Sequence, residues 1–208
     1  MPRTERTMIL FDGSIVSVLA CAAIAEEAGR DDAAPRGLLM LFPPTHAADR
    51  RLSTVLQRCA ELFAMEVLTS PAPDEAGSRS PGEQESRDLL AAGYAGARHS
   101  CTRILWPVNA AAGDGLDLDR IAAAHDRSIL VSRLVALDAG QHGVPGLRLD
   151  TPYIDLSDRQ VADLAVDMDL PLDQCGWWEV QPGGQRERWT RVLREAGWVF
   201  AKTADAPR

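Results

Sequence analysis

The residues best able to do chemistry stand in one short run near the amino terminus, Asp12-Gly13-Ser14-Ile15-Val16-Ser17. An apolar segment opening at Met8 stops at Asp12-Gly13-Ser14 and resumes with helical periodicity to Ala25, so the run reads as strand, turn, helix. Such a turn aims free backbone N–H groups at one point, and the helix dipole adds partial positive charge there, which suits a phosphate. Asp12 nevertheless puts a carboxylate where an anion would bind, and Asp or Ser is also an ordinary helix cap. The local chemistry therefore admits a phosphate loop and a simple capped turn. His46, after the second apolar run, could face a ligand or cap the next helix. His99, His125 and His142 have no partner at metal or triad spacing. Asp167 and Asp169, two apart at a helix end, point to different faces and read as solvated acids.

The elements that must hold the first turn follow an alternating pattern. Strands are expected at Thr7–Phe11, Gly37–Phe42, Met65–Thr69, Arg103–Val108 and Leu147–Leu149. Helices are expected at about Ile15–Ala28, Ala47–Phe63, Glu83–Ala97, Leu118–Ala136, Asp158–Met168 and Arg186–Ala196. This pattern predicts an α/β, Rossmann-like three-layer sandwich with a mostly parallel five-stranded sheet and ligands outside the carboxyl ends of its strands. Residues 1–208 are expected to form a single domain with a helical carboxyl-terminal segment from about residue 157. Ser70–Glu83, rich in Pro, Ser, Gly and acid, reads as an active-edge loop or a solvated connection, and Ala110–Asp117 as a second loop. Ser157 and Gln160 have the spacing of a capping box.

Composition excludes several classes. Asp and Glu outnumber Lys and Arg by 30 to 22, a net charge of −8, so no global field favours nucleic acid or an anionic membrane. No apolar run reaches a spanning length of roughly 18 residues and the start MPRTERTM lacks a signal-like core, so the expected address is cytoplasmic. The four cysteines, Cys21, Cys59, Cys101 and Cys175, form no C-x-x-C pair, which argues against a disulfide framework or a local zinc knuckle. Cys21 and Cys59 fall on apolar helix stripes and read as small hydrophobes.

Four stretches together resemble 7-cyano-7-deazaguanine synthase, a PP-loop N-type ATP pyrophosphatase of queuosine biosynthesis with an adenine nucleotide alpha hydrolase-like fold. Against that group's Ser-Gly-Gly-x-Asp-Ser, the first turn keeps Gly13 and Ser17. Ser80-Pro81-Gly82-Glu83-Gln84, followed by Gly93-Tyr94-Ala95, resembles Val-Pro-Gly-Arg-Asn and the helix ending Gly-Tyr-Ala. Pro107–Arg120 keeps Val108, Asn109, Ala110, Gly115 and Arg120 of a third motif, and Thr151, Pro152, Leu156 and Pro171 match a fourth. The resemblance implies ATP bound by Asp12, Gly13, Ser14 and Ser17 with His46, Gly82, Asn109 and Arg120 lining the crevice, and it implies a homodimer.

The departures fall on chemistry. Ser14 stands where the family has Gly and Val16 where it has Asp; Glu83-Gln84 replaces Arg-Asn; Ala111-Ala112 replaces Glu-Asp. The family's carboxyl-terminal zinc site needs four thiolates, and no cysteine follows Cys175. Trp177, Trp178 and Trp189 are expected to fill its place as an apolar plug or to offer a partner-binding patch. These changes predict a degenerate, non-catalytic member without zinc, with ATP weakly held or lost, that binds a partner or a nucleotide. The alternative is an ATP-dependent carbon–nitrogen ligase of 7-deazapurine metabolism that acts through an adenylated carboxylate on a rebuilt site.

Overall fold

The computed structural model describes residues 6–30, 37–70, 80–112, 115–140 and 146–200. Most of the Ser70–Glu83 loop, part of Ala110–Asp117, and His142 lie outside the described residues. The order is β1 (Arg6–Phe11), α1 (Ile15–Arg30), β2 (Gly37–Leu41), a 3-10 turn (Pro44–Ala48), α2 (Arg50–Leu62), β3 (Glu66–Leu68), α3 (Pro81–Arg98), β4 (Cys101–Leu105), a small hairpin β5 (Ala111–Ala112) and β6 (Gly115–Leu116), α4 (Leu118–Gly140), β7 (Arg148–Asp150), α5 (Asp158–Asp167), α6 (Leu172–Cys175), a 3-10 turn (Trp177–Glu179) and α7 (Gly183–Glu195).

Five strands pair in the order β3-β2-β1-β4-β7. Every ladder in this sheet is parallel, with Ile9 opposite both Leu39 and Leu105. The apolar runs of β1 and β2 have no polar alternation because both faces are covered. Ile9, Phe11, Leu39 and Leu41 enter one core with α1, α2, α5 and α7. Met8, Leu10, Leu38 and Met40 enter the other, with α3 and α4. Gly93 is part of that second contact, since a Cβ there would lie 2.7 Å from Val135 Cγ2 of α4.

All five expected strands are present and the expected helices lie within a few residues of their places. Strand β4 ends at Leu105, earlier than its pattern suggested: Trp106 still donates to Asp150 O, but Pro107 has no N–H to continue the ladder. Helix α2 starts at Arg50, not Ala47, because Asp49 caps it by accepting from the N–H groups of Arg51 and Leu52 at 2.8 and 3.2 Å. The Ser157–Gln160 capping box forms as its spacing predicts. The hairpin, α6 and the Trp177–Glu179 turn carry too few residues for a periodic signal.

The chain runs outward from β1 to β2 and β3, then returns to β1's other side with β4. That makes the gap between β1 and β4 the topological switch point, where loops diverge and leave a crevice.

Candidate functional site

The turn after β1 is folded around its own carboxylate. Asp12 Oδ1 accepts from the Ser14 N–H at 2.9 Å and from the Ser17 hydroxyl. Ser17 Oγ in turn accepts from the Asp12 N–H at 3.2 Å and lies 3.2 Å from Ser14 Oγ. Ser17 is fully buried and Asp12 is exposed, so the network ties a surface acid to a buried hydroxyl at the start of α1. Gly13 sits between them at φ +79°, a left-handed conformation that suits glycine. Its carbonyl accepts from Gln181 Nε2 at 2.7 Å.

Two shallow crevices flank this turn. One, of about 240 Å³, lies at the switch point and is walled by Asp12, Ser14, Val16, Asn109, Arg120 and Arg188, among others. The other, of about 280 Å³, is walled by Asp12, Gly13, Ser14, His46, Asp49 and Gln181, with leucine, valine and proline completing it. The structure thus gathers Asp12, Gly13, Ser14, His46, Asn109 and Arg120 around one turn. Ser17 stands behind them, joined through its hydroxyl.

Their roles differ from their placement. Asn109 uses its amide structurally, donating to the carbonyls of Tyr153 and Leu156 at 3.1 and 2.7 Å and pinning the loop after β4 to the turn before α5. Arg120 is exposed at the first turn of α4 and takes part in no ion pair among the described residues. It is the cation of the switch-point crevice that remains available to an anion. Gly82 lines neither crevice; it lies in the first turn of α3, where a Cβ would come 2.7 Å from Arg127 Nη2. Val16 is buried and lines the switch-point crevice with a branched apolar side chain.

Sequence reasoning missed the carboxyl-terminal wall. Gln181, Gln185, Arg188 and Trp189 close the switch-point crevice from above. Arg188 is held by Asp158, with Nε 2.6 Å and Nη2 2.5 Å from its two oxygens, and its guanidinium lies 5.7 Å from the Trp189 ring centre. The only signal in the chain was composition, since GGQRERW places two cations and an aromatic at helical spacing.

Three tryptophans fill the segment where the resembling family has zinc. Trp177 is fully buried, Trp189 is nearly so, and Trp178 stacks edge-on against Trp177 with centroids 4.4 Å apart. They join the core of α1, α2 and α5, which favours the plug over an exposed patch. Cys21, Cys59 and Cys175 are buried in the same core. Burial pushes the Cys21 thiol well up, and the hydrogen bond with Cys175, together with burial, does the same to Cys59. The hydrogen bond from Cys59 moves Cys175 the other way, below the usual thiol range. Among the described residues no group of three His, Cys, Asp or Glu is placed to hold a metal. Asp167 and Asp169 are both exposed at the end of α5.

The parallel sheet, the two helical layers and the crevice at the switch point define an α/β Rossmann-like protein with an adenine nucleotide alpha hydrolase-like architecture. Among solved structures, the U34-tRNA thiolase NcsA from Methanococcus maripaludis, with its 4Fe-4S cluster, is similar with a TM-score of 0.52 at 11% identity, covering 99% of this chain and 77% of that one. That likeness supports a PP-loop ATP pyrophosphatase-like fold and speaks for fold alone. No protein-family model and no curated protein matches the sequence. No helix among the described residues is long and apolar enough to cross a membrane.

Proposed function

We propose that this chain is a non-catalytic PP-loop protein related to 7-cyano-7-deazaguanine synthase, which acts by binding and does not turn ATP over. One observation carries the reading: the Asp12 carboxylate already takes the Ser14 N–H and the Ser17 hydroxyl, the donors a pyrophosphate would need. A second negative charge brought to that turn meets repulsion instead of a cradle. At roughly 5 Å and an effective dielectric near 20, like charges cost about 3 kcal/mol, or two orders of magnitude in affinity. Val16 stands where the resembling loop has Asp, and Ala111-Ala112 where the resembling family has a Glu-Asp pair that could hold magnesium. The residues present therefore do not fit a tightly held triphosphate. Nor is the iron–sulfur cluster named for the thiolase carried over, given the absence of a ligating group among the described residues.

The experiment is a thermal-melt titration with magnesium–ATP, run beside an assay for AMP and pyrophosphate. A ligand bound only by the native state at ten times its dissociation constant adds about 1.4 kcal/mol. The wild-type chain should show no shift at millimolar ATP, and the triple change Asp12→Ser, Ser14→Gly, Val16→Asp should produce one. A wild-type shift with pyrophosphate release would sink the proposal.

The ATP-dependent ligase remains as a second reading because Arg120, in no ion pair among the described residues, lines the switch-point crevice as a cation suited to phosphate or carboxylate. Pyrophosphate formed only when a carboxylate and ammonia are supplied would establish it.

A further inference from the structure

We propose that the groove between α4 and β7, with the leucine stripe beside it, is the docking site for an amphipathic helix of another protein that carries acidic side chains along one flank. Leu130, Leu134 and Leu137 stand out from α4 at 64%, 43% and 70% exposure, while Val131 and Val135 on its inner face are buried in the core shared with α3 and the sheet. The spacing of four and three residues puts these leucines on one stripe. His125, Ile129 and Arg133, at four-residue spacing, form the neighbouring stripe, which walls a groove of about 340 Å³ together with Arg148, Asp150 and Thr151. An apolar stripe with a polar groove along one side is the form of surface that receives a helix.

Charge selects the occupant. Arg133 is exposed and in no ion pair among the described residues, and His125 adds an exposed imidazole. Asp150, the acid on the groove wall, is already taken, pairing with Arg148 at 2.8 Å and with Arg103 at 3.0 Å. The groove flank therefore presents donors with no carboxylate left for them, and an acidic partner supplies it. On the other flank of the stripe both charges are engaged with α3: Arg127 pairs with Glu85 at 3.0 Å, and the Tyr94 hydroxyl donates to Asp138. A second copy's α4 laid across this one thus has no acidic flank to offer. Nucleic acid, charged along its whole length, would meet Asp126, exposed one turn before Leu130.

The occupant is a helix because the sheet edge is closed to a strand. Strand β7 lies at the edge, and the Leu149 N–H donates to Ser132 Oγ of α4 at 2.8 Å, so an added strand finds that donor spent. Leu130 and Leu137 lie about 10 Å apart along the axis, two turns, which matches anchors spaced by seven residues on a partner helix. Arg120, the crevice cation, lies about 20 Å from Arg133 along α4, so an occupied groove leaves the switch-point crevice open. ATP turnover by this chain would sink the binding role proposed above and leave this surface standing.

The test is fluorescence anisotropy of the full chain with a labelled synthetic helix of about 20 residues, roughly 30 Å long, bearing leucines at three- and four-residue spacing and glutamates along one flank. A second peptide carries lysine in place of each glutamate. The wild-type chain should bind the glutamate peptide at least tenfold more tightly than the lysine peptide. Arg133→Glu should weaken the glutamate peptide at least tenfold and strengthen the lysine one, a reversal that loss of folding does not mimic. Leu130→Glu should weaken both with an unchanged circular dichroism spectrum. No binding of the glutamate peptide at about 1 mM would overturn the proposal, as would equal affinity for the two peptides or binding that Arg133→Glu and Leu130→Glu leave unaltered. Sedimentation of the chain alone at about 100 µM completes the test: a dimer that Leu130→Glu dissociates would show that a second copy covers the stripe, which also overturns it.

Discussion

Replacing Gly13 with alanine tests the geometry of the turn most directly. A non-glycine residue in the left-handed region costs about 1–2 kcal/mol. The new Cβ would also lie 2.5 Å from Leu52 Cδ1, so this side chain, 5% exposed on the wall of the crevice beside His46, must shift. Overpacking of this kind costs about 1–3 kcal/mol. The sum is about 2–5 kcal/mol, and at about 2–4 °C per kcal/mol for a chain of this size the melting temperature should fall by about 4–20 °C. Urea unfolding should show the loss as a lower midpoint with unchanged slope, because neither the folded nor the unfolded surface alters. Gly29→Ala is the control: nothing lies within 4 Å of a Cβ there, so in the last turn of α1 it should be neutral or stabilising by up to about 1 kcal/mol. Truncating Leu52 to alanine in the Gly13→Ala background should recover the steric part, making the pair less costly than the sum. A Gly13→Ala variant within about 0.5 kcal/mol of wild type would refute both the strain and the contact.

Other perturbations probe the wall and the cores. Arg188→Ala leaves the 6% exposed Asp158 carboxylate unmatched, and with partial compensation from the amino end of α5 it should cost about 2–4 kcal/mol in urea unfolding; a loss below 1 kcal/mol would mean the pair is dispensable. Trp177→Phe should cost far less than Trp177→Ala, expected at about 3–5 kcal/mol, because the buried indole N–H has no partner and its removal relieves a desolvated donor; equal losses would contradict this. All four cysteines are free and buried, so a thiol reagent at neutral pH should label none in the native protein and four after unfolding. Burial raises Cys101 to about 11 and Tyr153 to about 12. The unfolded chain then loses these protons first, so stability should be level up to about pH 9 and fall from there to about pH 12; a flat urea midpoint across that window would refute their burial.

The fold was legible because it rests on periodicity. Uninterrupted apolar runs at β1 and β2 could only be strands covered on both faces, and the 3.6-residue pattern of the helices between them forced a parallel sheet with right-handed crossovers. The capping box at Ser157 and the burial of Cys21 and Cys59 likewise follow from spacing within a single element. Of the residues that the motif resemblance names, Asn109 and Arg120 line the switch-point crevice with the turn, whereas Gly82 lies in the first turn of α3 and lines neither crevice. The resemblance also gave no hint that Asn109 spends its amide on the carbonyls of Tyr153 and Leu156.

Sequence alone therefore determined the layers, the switch point and the place of the turn, since each depends on residues within one element or on hydrophobic period. Only tertiary structure decided which groups the turn bonds. Asp12 reaching Ser17, Gln181 reaching Gly13 across 168 residues, and Arg188 clasping Asp158 are contacts between side chains whose separation along the chain carries no pattern. Which donors a carboxylate takes up is set by a few ångströms of packing, which no period in the sequence records.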